Sequence, residues 1–98
     1  MKTKFLAAAV LIFLAACSKQ PQEMVVKIGH VGPISGPIGH LGKDNENGAR
    51  LAIEELNAKG VTIGGKKVKF ELVAEDDAAD PKQGTAVAQK LVDQKVAG

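Results

Sequence analysis

The sequence predicts an α/β fold, namely the first β-α-β-α portion of a parallel sheet that these 98 residues leave incomplete. Residues 24–31 are nearly continuously apolar and rich in β-branched side chains, which is typical of a strand buried on both faces. Residues 49–56 carry apolar side chains at helical spacing, and residues 67–72 alternate charged with apolar side chains. Strands separated by helices favour parallel pairing through right-handed crossovers.

The first strand, Met24–Val31, ends before Gly32 and Pro33. Glycine and proline then crowd residues 32–42, which we predict to be a loop. Ligands bind open α/β sheets at such loops, although a purely structural turn is the alternative. A strand buried on both faces needs a neighbour on each side, and the sequence predicts only one further strand. We therefore expect the chain to be the N-terminal part of a larger protein, or to pair with another chain.

The first helix is predicted to begin near Lys43 and to end at Gly60, a residue suited to the left-handed region after a helix. Its apolar face is formed by Ala49, Ala52, Ile53 and Leu56. A turn follows at residues 63–66. The second strand, around residues 68–72, has one apolar and one charged face, so we predict that it lies at the edge of the sheet.

The second helix has three agreeing start signals. Asp80 is suited to the N-cap, Pro81 to the first helical position, and Gln83 to the third position of a capping box. The apolar face of this helix is formed by Val87, Ala88, Leu91 and Val92.

Residues 1–16 are predicted to be a signal peptide. Lys2 and Lys4 precede an uncharged apolar run over residues 5–17, which as a helix would rise about 20 Å against a hydrocarbon core of about 30 Å. The end of the run, Leu-Ala-Ala-Cys at 14–17, resembles the bacterial lipobox, which implies that Cys17 is lipidated. An ordinary signal peptide cut further on and a buried core helix are the alternatives. Residues 17–23 then hold the lipidated cysteine and a polar tether.

The charge balance argues against a nucleic-acid partner. The chain has 13 basic and 11 acidic residues, and Lys2 and Lys4 account for the whole excess. It also lacks Trp and Tyr, so a platform for stacking bases is not expected.

No catalytic, metal or cofactor site is predicted. One cysteine with His30 and His40 does not complete a zinc ligand set. Asp76, Asp77 and Asp80 lack the spacing of a calcium loop, and the dipole of the following helix explains acidic residues at its start. The glycines of residues 29–42 match neither the dinucleotide-binding fingerprint nor the P-loop.

Four segments together carry a family resemblance: KIGHVGPISGP at 27–37, NGARLAI at 47–53, LNAKG at 56–60 and DDAADPKQ at 76–83. In this order they resemble the N-terminus of the branched-chain amino-acid-binding proteins, the periplasmic substrate-binding components of ABC importers. The resemblance implies that residues 24–98 are the first part of a type I periplasmic-binding-protein lobe, about a quarter of a two-lobed protein that closes on its ligand.

The resemblance also implies a function and a site. We expect a membrane-anchored lipoprotein of the bacterial periplasm or cell surface that delivers a small amino acid, branched-chain or a related amide, to an ABC membrane permease. It would not be an enzyme and would need no cofactor. Ser35, Gly36 and Leu41 would line the ligand cleft, whereas the groups that hold the ligand's ammonium and carboxylate would lie beyond Gly98. A ligand-sensing receptor domain of the same fold, or an α/β enzyme, are the alternatives.

Two positions depart from the family pattern. Leu41 stands where well-studied members have an aromatic residue that packs on the ligand. Ala79 stands where some members have a cysteine, so their disulfide is not expected here.

The lipidation of Cys17 gives the first testable prediction. Metabolic labelling with radioactive palmitate should mark the wild-type protein and not Cys17→Ser, because only the thiol can carry the thioether-linked lipid. More than one acyl chain is needed for stable anchoring, so the variant should also leave the membrane fraction. Equal labelling of both proteins would contradict the lipoprotein hypothesis.

Overall fold

The computed structural model describes residues 22–98, in which five elements follow one another. These are β1 (Glu23–Gly32), α1 (Gly39–Lys59), β2 (Val61–Ile63), β3 (Lys66–Asp76) and α2 (Pro81–Asp93). The predicted signal peptide, Cys17 and most of the predicted tether lie outside the described residues. Within residues 22–98, no helix is long and apolar enough to cross a membrane.

The three strands form one sheet in the order β1-β3-β2. β1 runs parallel to β3 from Glu23 opposite Lys67 to Gly32 opposite Asp76. β2 is antiparallel to β3, so the sheet is mixed and not purely parallel as expected. The turn expected at residues 63–66 is the hairpin between β2 and β3, where Gly64 (φ 59°) and Gly65 (φ 78°) both have the positive φ that a type I′ turn needs. The α/β class is confirmed, with one strand more than the sequence indicated.

The second strand of the prediction, β3, lies between β1 and β2 and not at the edge of the sheet. The charged residues on one face of β3 therefore need an explanation other than an edge position. A Cβ on Gly29 would lie 3.0 Å from Leu91 Cδ1, and Glu75 pairs with Lys90, so α2 covers the carboxyl half of this face. Lys67 and Lys69, at the amino half of the same face, remain exposed to solvent. The alternation of charged and apolar residues in β3 therefore arises because α2 covers only half of this face of the sheet, and not because the strand lies at the edge.

The first strand has backbone partners on both sides. On the side away from β3, Ala97 N–H donates to Lys27 C=O and Gly29 N–H donates to Gly98 C=O, each at 2.7 Å. This pairing supports the expectation that β1 needs two neighbours. Its burial is less complete than expected, because α2 packs beside Gly29 and leaves Val25 49% exposed.

The helix α1 begins at Gly39, inside the segment that we expected to be a loop. A Cβ on Gly42 would lie 1.9 Å from the Pro33 carbonyl oxygen, so the helix backbone meets the strand-to-helix connection directly. The face of α1 toward the sheet comprises Gly39, Gly42, Glu46, Ala49, Ile53 and Asn57. The predicted face is thus right at Ala49 and Ile53 and wrong at Ala52 and Leu56, which are exposed.

The side chain of Asn57 makes the two hydrogen bonds to Phe70 of β3 that a neighbouring strand would otherwise make. Its amide accepts from Phe70 N–H at 2.8 Å and donates to Phe70 C=O at 2.9 Å. β2 pairs with β3 only as far as Val68, and Phe70, two residues on, directs its backbone groups to the same side. Asn57 therefore satisfies a sheet edge that would otherwise lack partners at this position.

The helix α2 begins as predicted, with Asp80 as N-cap and Pro81 in the first turn. Of its predicted apolar face, Val87 and Leu91 are buried, whereas Val92 is 66% exposed. Together with Val68 of β3, these two residues are the buried hydrophobic side chains of the described part of the chain.

A buried carboxylate, that of Glu46, lies on the sheet-facing side of α1 and is 5% exposed. Arg50 donates to it at 2.8 Å and Lys43 at 3.5 Å. The hydrogen bond from Arg50 is the main reason that the pKa of Glu46 is lowered, and the charge of Lys43 adds to this. The helix thus buries one acidic side chain by pairing it with two of its own basic residues, Lys43 three positions before it and Arg50 four positions after it.

The contact at Gly42 predicts a large and position-specific effect of an added methyl group. Gly42→Ala should destabilise the fold by about 2 kcal/mol or more, since the backbone of Pro33 must move. Gly48→Ala is the matched control, because a Cβ there meets nothing within 4 Å. It should stabilise α1 by up to about 1 kcal/mol through helix propensity. Equal free energies of unfolding in urea for the two variants would contradict this packing.

The Glu46 carboxylate predicts a pH-dependent effect on stability. Because its pKa is lowered from 4.5 in the folded state, its stabilisation is present above that value and is lost as pH falls through the folded pKa. Glu46→Gln should therefore unfold at a lower temperature than wild type at pH 7, and the difference should shrink as pH falls below 4.5. Glu54→Gln, at an exposed position of α1, is the control and should stay close to wild type at every pH. A difference that is constant with pH would contradict the ion pair.

Candidate functional site

The candidate site is built by the two loops that follow the parallel strands. β1 ends at Gly32 and β3 at Asp76, and these residues pair with each other in the sheet. The loop of residues 33–38 and the turn of residues 77–80 therefore begin side by side at the carboxyl edge. This edge is where open α/β sheets bind ligands.

The predicted ligand residues lie on the first of these loops and on the helix start beside it. Ser35 is exposed, and Gly36 has φ 80°, which favours glycine. Gly36 C=O accepts from Gly39 N–H at 3.1 Å, so the loop turns directly into α1. Leu41 lies in the first turn of α1 and is 53% exposed, and Ile38 before it is 42% exposed. A small apolar surface thus borders a polar loop.

Asp76 connects the two loops. Its Oδ1 accepts from Ile34 N–H and from Ala78 N–H, each at 2.9 Å, and its Oδ2 accepts from the Ser35 hydroxyl at 2.5 Å. The hydrogen bond from Ser35, followed by those from Ala78 and Ile34, lowers the pKa of Asp76 below its usual value. The sequence analysis interpreted Asp76 only as part of an acidic helix start. The sequence did contain one signal for the contact between Asp76 and Ser35, because both residues follow the carboxyl ends of predicted strands.

The turn after β3 holds two consecutive alanines in the left-handed region. Ala78 has φ 52° and Ala79 has φ 56°, conformations that non-glycine residues rarely adopt. Asp77 stabilises this turn, because its Oδ1 accepts from Ala79 N–H at 2.8 Å and its carbonyl accepts from Asp80 N–H at 2.9 Å. Asp80 caps α2 by accepting from Lys82 N–H at 3.1 Å.

The carboxylates of Asp76, Asp77 and Asp80 therefore each accept from backbone amides, and that of Asp76 also accepts from the Ser35 hydroxyl. Gln83 differs from the capping-box expectation, in which its side-chain oxygen would accept from the N-cap N–H. The Asp80 N–H donates instead to the Asp77 carbonyl, and the Gln83 side chain donates to the Asp76 carbonyl at 3.3 Å. Within residues 22–98, no group of three or more His, Cys, Asp or Glu side chains is arranged to hold a metal ion.

A shallow cavity of about 220 Å³ lies at the opposite end of the sheet, lined by Glu23, Asn57, Lys67, Val68 and Lys69. It is smaller than the roughly 300–1,000 Å³ of usual ligand pockets. It is also separated from the loops by the length of β3. We therefore take the carboxyl edge, and not this cavity, as the candidate site.

Comparisons with known proteins agree with the family resemblance of the sequence. A family model described as periplasmic binding protein matches residues 25–98. A leucine-specific-binding protein of Salmonella typhimurium is 42% identical over 92 residues, which cover 94% of this chain and 24% of that protein. A Leu/Ile/Val-binding protein of Rhizobium johnstonii is 38% identical over 92 residues, with the same two coverages.

A Leu/Ile/Val-binding protein of Escherichia coli is 45% identical over 67 residues, which cover 68% of this chain and 17% of that protein. The chain thus spans about a quarter, or less, of the length of the curated relatives it matches.

Proposed function

This chain belongs to the periplasmic binding protein family, and from that premise we propose that the protein captures a small aliphatic amino acid for an ABC importer. The relatives named above bind leucine, or leucine, isoleucine and valine, according to their names. The chain spans about a quarter of the leucine-specific relative, so the activity of the whole protein is part of the proposal.

The observation that carries the proposal is the apolar surface at the start of α1. Ile38 and Leu41 are 42% and 53% exposed, one helical turn apart, next to the loop at the carboxyl edge. Large apolar side chains exposed beside a polar loop suit a ligand with an aliphatic side chain. A ligand that covers them removes apolar surface from water, which makes binding more favourable. Ser35 and Gly36 would complete this side of the cleft.

The proposed mechanism is reversible capture with no chemistry on the ligand. The Ser35 hydroxyl donates to Asp76, which also accepts from the Ile34 and Ala78 amides, so both side chains serve to join the two loops. Affinity would come from burying the ligand between two lobes. By resemblance to the family, loops beyond Gly98 would hold the ligand's ammonium and carboxylate.

We propose in addition that Cys17 anchors the protein to a membrane. The family is periplasmic, and the lipobox-like segment at residues 14–17 would place lipid chains at the N-terminus of the mature protein. Residues up to Gln22 would then act as a tether between the membrane and β1. The partner in transport would be the membrane permease of the importer.

The cleft assignment is tested by calorimetry with leucine, isoleucine and valine on the full-length protein. Leu41→Ala should weaken the binding of the best ligand by about tenfold, since part of the apolar wall is removed. Leu51→Ala is the matched control, because Leu51 is 57% exposed on α1 about three turns from the loop. It should leave the affinity unchanged.

Two outcomes would contradict the proposal. An unchanged affinity in Leu41→Ala would place Leu41 outside the cleft. Tight binding of a nucleotide, with no heat from any of the three amino acids, would reject amino-acid capture altogether.

A further inference from the structure

We propose that Asp76 is a positioning residue for ligand binding: it holds the loop of residues 33–38 in the geometry that the ligand meets, without touching the ligand. The inference rests on the proposed function. The inference goes beyond the proposed function because Ser35 and Gly36, which are expected to face the ligand, lie on the loop of residues 33–38. Asp76 lies at the end of β3 and acts through that loop.

Both oxygens of the Asp76 carboxylate are engaged within the protein. Oδ2 accepts from the Ser35 hydroxyl, and Oδ1 accepts one backbone amide from each loop, Ile34 and Ala78. Charge-assisted hydrogen bonds of this kind are stronger than neutral ones. The carboxylate is therefore placed to join the two loops.

The loop of residues 33–38 has few other bonds to hold it. Its further backbone hydrogen bonds within the described residues run to the start of α1, from Gly39 N–H to Gly36 C=O and from Leu41 N–H to Ile38 C=O, and neither connects the loop to β3. One more strand-end bond, from Asp77 N–H to Gly32 C=O at 3.1 Å, ties the base of the loop but not Ile34 or Ser35. Removing the Asp76 carboxylate would thus free the part of the loop that carries Ser35 and Gly36.

The opposite loop depends on the same carboxylate. Ala78 is held at φ 52°, and its N–H donates to Asp76 Oδ1. Strained backbone of this kind persists only where its surroundings hold it. A ligand that binds preorganised loops does not have to order them, so loss of Asp76 should appear as a loss of affinity.

The experiment measures leucine binding by calorimetry in the full-length protein carrying Asp76→Ala, Asp76→Asn, Asp76→Glu or Asp93→Ala. Asp76→Ala should bind about tenfold more weakly than wild type. Asp76→Asn keeps an oxygen that accepts the amides of Ile34 and Ala78, so it should stay within about threefold. Asp76→Glu keeps the charge but moves the oxygens by one methylene, and it should bind more weakly than Asp76→Asn.

The control is Asp93→Ala, because Asp93 is the exposed last residue of α2 and its side chain accepts from Gln89 of the same helix, away from both loops. It removes the same charge and should leave the affinity within about threefold of wild type. Hydrogen exchange supplies a second readout. The Ile34 amide should lose protection in Asp76→Ala, while amides in the middle of β1 and α1 keep theirs.

The outcomes separate this inference from the proposed function. If wild type binds leucine and Asp76→Ala binds it equally well, the positioning role is wrong and the proposed function stands. If Asp76→Ala does not fold, the comparison of Asp76→Glu with Asp76→Asn decides, and a tighter Asp76→Glu would overturn the inference. If wild type binds none of leucine, isoleucine and valine, the proposed function fails and the positioning role fails with it.

Discussion

The parallel pairing of β1 with β3 is the constraint on which the rest of the structure depends. The two strands pair in register along their whole common length and finish together, with Gly32 opposite Asp76. The loops that follow them therefore begin next to each other, although α1, β2 and β3 separate them in the sequence. A single aspartate can then accept hydrogen bonds from Ile34 and Ser35 on one loop and from Ala78 on the other.

The same arrangement determines how α1 packs. The helix has to turn back over the sheet immediately after β1, and it does so with its backbone against Pro33, where the Cβ of any residue other than glycine would collide. At its far end, Asn57 binds the exposed edge of β3 at Phe70. The helix is thus fixed by a backbone contact at one end and by an amide at the other, with few apolar side chains buried between them. Spacing rules for amphipathic helices assume that side chains fill the gap, so they misplaced half of the face of this helix.

The sequence predicted one side of the candidate site and missed the other. Glycines and prolines after an apolar strand predict a loop at the carboxyl edge of a sheet, and the family resemblance implied Ser35, Gly36 and Leu41 as the cleft residues there. Asp76 was predicted only as a helix-start residue, because its partners Ile34 and Ser35 are 42 and 41 residues away. Gln83 shows the same limit at short range, since the pattern predicted a capping residue but not that its side chain would reach the end of β3.

What the sequence determined by itself is local. The strand character of residues 24–31, the N-cap at Asp80, the proline at Pro81 and the glycine turn at Gly64-Gly65 all follow from side-chain and backbone preferences within a few residues. Only the tertiary structure decided that β3 lies between β1 and β2, which half of its charged face α2 covers, and which backbone amides Asp76 accepts. These features depend on register and on hydrogen bonds between distant segments, and such bonds form only after the sheet has brought the segments together.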